Sequence, residues 1–200
     1  MKLTGNKNIN TREYWTEQYS TPDKYKEQEA GVFGETQRFI RAVEEVSDGD
    51  KVLDIGCGIG TFTELVTNIK TNCEVWGTDI SDTAMHENWK RNPKIQYIAC
   101  EVGNLINIPT NYFNVVFSGE VLEHLDDPKS LFLDAYNALA SGGKFILTTP
   151  NGSTIKTPEH VTEFEHEDIE KLYLDNGFQR PKFVYLPNEH FLTIFAIGKK

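Results

Sequence analysis

The sequence predicts an α/β protein whose core is a mostly parallel β-sheet. Three observations support this prediction. Residues 52–55 are a short apolar run followed at once by a glycine turn and a helix-forming run, which is the start of a βαβ unit. Short apolar runs then alternate with amphipathic runs of helical period. The last two predicted strands, 182–186 and 191–197, are separated only by a short turn, so they must pair antiparallel.

The N-terminal part is predicted to be helical. Tyr14, Trp15 and Tyr19 have helical spacing and indicate a short amphipathic segment that either forms a lid or packs on the core. A second helix is predicted for residues 35–46, where Phe39, Ile40, Val43 and Val46 form an apolar stripe. It ends at a Ser-Asp-Gly-Asp turn.

Length, composition and charge limit the class of protein. The 200 residues suit one core, so we divide the chain into a helical or lid segment, residues 1–34, and one α/β domain, residues 35–200. The net charge of −10 disfavours binding to nucleic acid and to anionic membranes. Three widely spaced cysteines and no long apolar run predict a reduced, cytoplasmic protein without a zinc knuckle, a disulfide framework or a membrane span.

The glycine turn is the strongest local signal. Gly56, Gly58 and Gly60 follow the strand at alternate positions and let the backbone approach a ligand closely, beside the free N–H groups of the next helix. This arrangement is typical of a nucleotide-binding βαβ unit. The dinucleotide fingerprint, however, needs its third glycine one residue later, where this chain has Thr61.

An acid ends the second predicted strand, residues 74–78. A carboxylate at this point can accept hydrogen bonds from both hydroxyls of a ribose, which is the role we predict for Asp79. The alternative is that Asp79 or Ser81 caps the helix that follows. Ile80 is expected to contact an adenine.

The rest of the chain continues the alternation. Strands are predicted at 95–99, 113–118 and 144–149, and helices at 81–92, 128–139 and 167–176. The fourth strand runs into Glu120, Glu123 and His124. Three ionisable side chains are therefore expected at the carboxyl edge of the sheet, where open α/β sheets bind ligands.

These motifs together resemble class I S-adenosylmethionine (SAM)-dependent methyltransferases over about residues 35–198. The stretches that carry the resemblance are 52–62, Asp79, 103–109, 113–128 and 142–151. The Glu-Val-Leu-Glu-His run at 120–124 is most similar to a subgroup that includes O-methyltransferases of ubiquinone biosynthesis. The resemblance implies a Rossmann-like sheet in the strand order 3-2-1-4-5-7-6, closed by an antiparallel C-terminal hairpin.

The resemblance also implies a donor site for SAM, whose product is S-adenosylhomocysteine. Asp54, Gly56, Cys57, Gly58 and Gly60 would hold the methionine part, Asp79 the ribose, Ile80, Asn104 and Leu105 the adenine, and Glu120 the pocket floor. Asn104 stands where the family has an Asp, and its side-chain carbonyl can still accept a hydrogen bond.

The implied reaction is an in-line displacement at the sulfonium methyl, in which alignment supplies most of the catalysis. An acceptor that must lose a proton also needs a base. His124 is the first candidate for this base and His160 the second. The alternatives are a helix-start residue bonded to backbone for His124 and a surface histidine for His160.

The same residues could hold a metal. Glu120, Glu123, His124 and His160 offer two carboxylates and two imidazoles for a divalent cation such as Mg²⁺. This set of residues resembles the metal-binding residues of small-RNA 2′-O-methyltransferases. The alternative is that Glu120 contacts SAM while Glu123 and His124 shape the acceptor pocket.

The leading hypothesis is therefore methyl transfer to a hydroxyl oxygen of a small molecule. Metal-assisted methylation of RNA ribose is one alternative, which an enclosed pocket lined by Trp15 and Phe164 would disfavour. A SAM-binding module without turnover is the other, and Asn104 and Asn114, which replace acids usual in the family, are its only support.

Overall fold

The computed structural model describes residues 1–21, 36–152, 157–187 and 192–200. The predicted boundary between residues 34 and 35, the start of the second helix at Glu35, and the first residue of the last strand, Phe191, lie outside these ranges. In the described part, six α-helices and one 3₁₀ turn accompany nine strands.

Seven strands form the main sheet. They are β2 (Lys51–Ile55), β3 (Glu74–Asp79), β4 (Gln96–Ala99), β5 (Phe113–Gly119), β6 (Leu139–Pro150), β8 (Lys182–Pro187) and β9 (Leu192–Lys199). Their order is β4-β3-β2-β5-β6-β9-β8. The first five are parallel, and β9 pairs antiparallel with both β6 and β8. This confirms the predicted Rossmann-like fold, its strand order and its antiparallel C-terminal hairpin.

The helices are α1 (Arg12–Gln18), α2 (Thr36–Glu44), α3 (Thr61–Ile69), α4 (Asp82–Arg91), α5 (Pro128–Ala138) and α6 (His166–Asp175). Several helices begin at a residue whose side chain caps them, whereas α3 follows Gly60 without such a cap. Ser81 caps α4 by accepting from the backbone N–H of Ala84. Asp127 caps α5, with Pro128 in its first turn.

The core lies on both faces of the sheet because side chains alternate along each buried strand. In β5, Val116 faces a cluster that also contains Phe113, Phe132 and Tyr173. Its neighbours Val115 and Phe117 face the opposite cluster. Burial on both faces fixes where each strand ends, and therefore where the loops at the carboxyl edge begin.

Strand β6 begins earlier than the sequence predicts. We expected the glycines at 142–143 to separate a helix from a strand that starts at Lys144, whereas β6 runs from Leu139. Leu139 already pairs with Phe113, and the register then shifts before Val115 pairs with Lys144. The glycines lie inside the strand at this irregularity.

A second, two-stranded sheet was not predicted. Strand β1 (Lys2–Leu3) pairs antiparallel with β7 (Thr162–Glu163). Each strand has only two residues, which is too short for a pattern of alternating side chains. Through this sheet, residues 1–19, which we name the N-terminal strap, reach the loop that carries His160. Among the described residues, no helix is long and apolar enough to cross a membrane.

Candidate functional site

A cavity of about 460 Å³ opens at the carboxyl edge of the main sheet. This is the edge at which open α/β sheets bind ligands. Of the predicted site residues, the cavity is lined by Asp54, Gly56, Cys57, Gly58, Asp79, Ile80, Glu120 and His124. Gly60, Asn104, Leu105, Glu123 and His160 do not line it.

The glycine loop between β2 and α3 has a backbone that side chains would disturb. Gly56, Gly58 and Gly60 have φ values of 76°, 49° and 79°. A Cβ on Gly56 would lie 2.3 Å from Cγ2 of Val121. The loop therefore keeps its close packing against the segment after β5 only with glycine at position 56.

Asp79 stands at the tip of β3 and is fixed by two backbone amides. Oδ2 accepts from the N–H of Gly58 at 3.0 Å, and Oδ1 accepts from the N–H of Ser81 at 2.9 Å. Burial raises the pKa of Asp79, and these hydrogen bonds oppose the rise. Each carboxylate oxygen has a further lone pair with which to accept from a ligand. The helix cap is the side chain of Ser81, not that of Asp79.

Two of the three predicted adenine contacts, Asn104 and Leu105, do not line the cavity, whereas Ile80 does. The backbone N–H of Asn104 donates to the carbonyl of Glu101 at 3.0 Å, so the chain turns back after β4. Leu105 packs against the hydrophobic core. Glu101 and Val102 line the cavity in their stead. The available signal was that they follow the third parallel strand, whose last residue, Ala99, pairs with Asp79.

Arg38 is a cavity residue that the sequence analysis missed. It lies in α2 and is only 6% exposed. Burial lowers the pKa of its guanidinium, while the charges of Glu120, Glu123 and Asp54 raise it. The signal was an arginine four residues before Ala42 on the buried face of a helix. The result is a buried cation facing several buried acids.

Those acids have altered proton affinities. Burial, together with the nearby Glu123 carboxyl, raises the pKa of Glu120 to about 7. Burial likewise raises the pKa of Glu123 to about 7, although its Oε2 accepts from the hydroxyl of Thr149 at 2.9 Å. For Asp54, burial and the charge of Asp79 raise the pKa well above its usual value.

His124 ends the 3₁₀ turn Leu122–His124. Its Nδ1 lies 3.0 Å from the backbone carbonyl of Glu159. A carbonyl only accepts, so Nδ1 carries the hydrogen and Nε2 keeps its lone pair. Burial lowers the pKa of His124, which favours the neutral ring. The indole of Trp15 packs edge-on at 5.5 Å between ring centroids.

Three of the four predicted metal ligands come together. Glu123, His124 and His160 each offer a ligand atom, and these atoms lie within 4.8 Å of one another. Glu120 is not part of this set. It has a φ of 56° and precedes the 3₁₀ turn, so it does not share the face that the i, i+3, i+4 spacing predicted. The four-residue set is therefore corrected to three residues.

The structure also shows where the residues named for the two alternative functions lie. Trp15 lines the cavity, but Phe164 is 1% exposed and belongs to the hydrophobic core. The Asn114 side chain accepts from the backbone N–H of Lys51 at 2.9 Å and so ties β2 to β5. An aspartate could accept the same bond, so this role does not depend on the amide, and Asn114 lies outside the cavity lining.

Comparison with known sequences finds methyltransferases. Residues 53–147 match the family described as a methyltransferase domain. The ubiquinone biosynthesis O-methyltransferase of Idiomarina loihiensis is 31% identical over 123 residues, which cover 56% of this chain and 50% of that protein. The chain spans about half the length of the first curated relatives that it matches.

Comparison with solved structures finds the same fold. The methyltransferase in a complex with the Haloferax volcanii Trm112 methyltransferase activator has a TM-score of 0.76 at 14% identity, over 92% of this chain and 96% of that one. The Burkholderia thailandensis 1,6-didemethyltoxoflavin-N1-methyltransferase, with S-adenosylhomocysteine bound, has a TM-score of 0.73 at 15% identity, over 99% and 93%. Residues 53–147 of this chain thus match a methyltransferase domain, and the chain has the fold of these solved methyltransferases.

Proposed function

We propose that this protein binds SAM in the cavity and transfers its methyl group to a hydroxyl oxygen of a small molecule. The observation that carries the choice of oxygen is His124, a neutral imidazole whose Nε2 lone pair is left available because Nδ1 donates to Glu159. A hydroxyl must lose a proton as it is methylated, and a neutral histidine can accept that proton.

The cavity fits the donor by shape and by charge. The close approach at Gly56, where a Cβ would collide with Val121, leaves room for a ligand against bare backbone. Asp79 would accept from the ribose hydroxyls. Ile80 and Val102 offer apolar surface for the adenine, and Glu101 an acceptor for its amino group. Arg38 would offset the charge of the methionine carboxylate.

When bound, SAM supplies an electrophilic methyl group on a sulfonium sulfur. The residues of the chain have to hold the acceptor oxygen in line with the methyl carbon and the sulfur. Trp15 and the glycine loop line the cavity and would bound the space around that line. Nε2 of His124 would take the proton of the hydroxyl when its oxygen replaces sulfur on the methyl carbon, which leaves S-adenosylhomocysteine.

The size and charge of the cavity support a small acceptor. Binding cavities of roughly 300–1,000 Å³ hold one drug-sized molecule, and this one, of about 460 Å³, must hold the donor as well. Its lining includes six acids, Asp54, Asp79, Glu101, Glu120, Asp126 and Asp127. A polyanion such as RNA would be repelled by this surface, so we do not favour the RNA alternative.

A second role for His124 is as a metal ligand. Glu123, His124 and His160 could bind a divalent cation, which would lower the pKa of a coordinated hydroxyl. The carbonyl of Glu159 would then orient the ligating ring, as is usual around metal-bound histidines. Titration of Mg²⁺, Mn²⁺ and Zn²⁺ by calorimetry decides between a base and a ligand, because both uses need the same lone pair.

We also propose the cellular compartment in which the protein acts. Cys57, Cys73 and Cys100 are free thiols, and Cys57 and Cys100 are buried. Free cysteines are usual in proteins of a reducing compartment. We therefore place the protein in the cytoplasm, where SAM-consuming reactions on small metabolites can occur.

The first test is calorimetric titration with S-adenosylhomocysteine, followed by transfer of labelled methyl from SAM to a panel of phenols, catechols and polyols. Binding with a labelled ether product is the expected result. If labelled methyl were found only on amines, the acceptor atom would be nitrogen and not oxygen. No binding of S-adenosylhomocysteine would overturn the proposal.

A further inference from the structure

We propose that Asn10, in the N-terminal strap, is a positioning residue that sets the orientation and tautomer of His124. The inference rests on the proposed function only for the use of His124 Nε2, as a base or as a ligand. It concerns a residue outside the matched domain of residues 53–147.

The side-chain amide of Asn10 joins two parts of the site that are far apart in the sequence. Its Nδ2 donates to the backbone carbonyl of Glu159 at 2.8 Å and to that of His124 at 3.2 Å. Oδ1 of Asn8 accepts from the backbone N–H of Asn10 at 2.8 Å and lies 2.9 Å from Nδ2, so the two Nδ2 hydrogens are shared among three acceptors. One side chain thus links the backbone of the two residues that form the His124 ring hydrogen bond.

The Glu159 carbonyl is the shared acceptor. It receives the Nδ1 hydrogen of His124 at 3.0 Å and the amide of Asn10 at 2.8 Å. The side chain of the same residue is held independently, because Oε1 of Glu159 accepts from the hydroxyl of Tyr14 at 2.5 Å. Burial raises the pKa of Tyr14 to about 12, so its hydroxyl stays protonated and continues to donate. The strap therefore anchors both the main chain and the side chain of Glu159.

This anchoring decides which nitrogen of His124 is available. A neutral imidazole exists as two tautomers, and the one observed is set by the acceptor that its protonated nitrogen finds. If the Glu159 peptide rotates, Nδ1 loses its acceptor. The hydrogen can then move to Nε2, which faces Oε1 of Glu123 at 4.0 Å. The nitrogen needed for proton transfer or for a cation would be occupied.

The test measures the tautomer directly and needs no acceptor substrate. Two-bond ¹H–¹⁵N spectra of ¹⁵N-histidine-labelled full-length protein, recorded at pH 7.5 with EDTA, separate protonated from unprotonated ring nitrogens for each of the five histidines. His124→Gln assigns the signals. Asn10→Asp keeps the shape but replaces the donor by an acceptor, and Asn10→Ala removes the group.

The matched control is Asn6→Ala. Asn6 belongs to the same strap and also donates to two backbone carbonyls, those of Thr157 and His160, both at 2.9 Å. It touches neither His124 nor Glu159 through these bonds. Loss of strap attachment in general should affect both variants alike, whereas loss of positioning should affect only the Asn10 variants.

We expect wild type and Asn6→Ala to show His124 with Nδ1 protonated. Both Asn10 variants should show a mixture or the other tautomer, and kcat should fall roughly 10- to 100-fold, as for partners that orient functional histidines. The affinity for S-adenosylhomocysteine is measured in the same variants, because Asn10 also lines the cavity. Unchanged His124 signals in both Asn10 variants, or equal changes in Asn6→Ala, would overturn the inference. Failure of the wild type to bind S-adenosylhomocysteine would instead overturn the proposed function.

Discussion

The Asp79 carboxylate accepts a hydrogen bond from the backbone N–H of Gly58 at 3.0 Å, across the boundary between two successive strand–helix units. This bond fixes the tip of β3 against the glycine loop that follows β2. The group proposed to hold the ribose and the loop proposed to hold the methionine part are therefore one rigid unit.

Asp79→Asn should weaken binding of S-adenosylhomocysteine by roughly 10- to 100-fold, because a hydrogen bond to a charged group is worth about 1.5–3 kcal/mol. The amide replaces one acceptor by a donor facing backbone N–H groups. Calorimetry gives the dissociation constant. Asp175→Asn, the same change on the exposed surface of α6, is the control. Equal affinity in both variants would remove Asp79 from the donor site.

Gly56→Ala should destabilise the protein more than Gly49→Ala. Both glycines have positive φ, 76° and 81°, so both variants lose about 1 kcal/mol from backbone strain. A methyl at position 49 meets nothing within 4 Å, while one at 56 collides with Val121. We expect a further 1–3 kcal/mol, roughly, from this overpacking.

Urea denaturation measures both variants. Adding Val121→Ala to Gly56→Ala should recover part of the loss, because it removes the Cγ2 atom that collides. Strictly additive effects in this double-mutant cycle would contradict the contact between the glycine loop and the segment after β5.

Glu120→Gln should make the protein more stable than wild type at pH 8 but not at pH 4.5. Burial raises the pKa of Glu120 to about 7 in the folded protein, against 4.5 in an unfolded chain. The folded state therefore favours the neutral carboxyl, and its stability is lost as pH rises from 4.5 to 7. Glutamine stays neutral, so we expect a gain of about 1–3 kcal/mol at pH 8.

Chemical denaturation at several pH values, with EDTA present, measures this gain. Glu44→Gln, at a side chain 55% exposed on α2, is the control and should show no comparable gain. A stability difference for Glu120→Gln that does not vary with pH would show that Glu120 titrates normally.

His124→Gln should lower kcat by roughly 10²- to 10⁴-fold, the usual contribution of a general base. Because burial lowers the pKa of His124, the wild-type rate should be constant above pH 7 and fall in more acidic buffer as the ring gains a proton. Initial rates from pH 5 to 8.5 with a phenolic acceptor test this. A full rate with His124→Gln would exclude the imidazole as the base.

The sheet and the donor side of the site could be predicted from the sequence because their signals are local. The apolar run before Gly56 indicates where β2 ends. The acid Asp79 indicates where β3 ends. Asn104 and Leu105 were assigned to the adenine from a motif, and neither lines the cavity. The tip of β4 is Ala99, which pairs with Asp79, so the residues that enter the cavity there are Cys100 and Glu101.

The acceptor side could not be predicted because it is assembled by contacts between distant residues. Asn10 and Glu159 are 149 positions apart, and no periodic pattern links them. Arg38 lies in a helix that was predicted from the apolar stripe of its other residues. That stripe does not indicate that an arginine in the same helix is buried. Such residues are identified by what surrounds them in space, and a single sequence carries little of that information.

The pairing of β1 with β7 also has a consequence for biosynthesis. Lys2 and Glu163 are 161 positions apart, so the strap has no partner when it first leaves the ribosome. Strand β1 can pair only after the residues around 157–163 have emerged, by which time all strands up to β6 have been made. The contacts of the N-terminal strap around His124 are thus expected to form late in folding, after the glycine loop has formed.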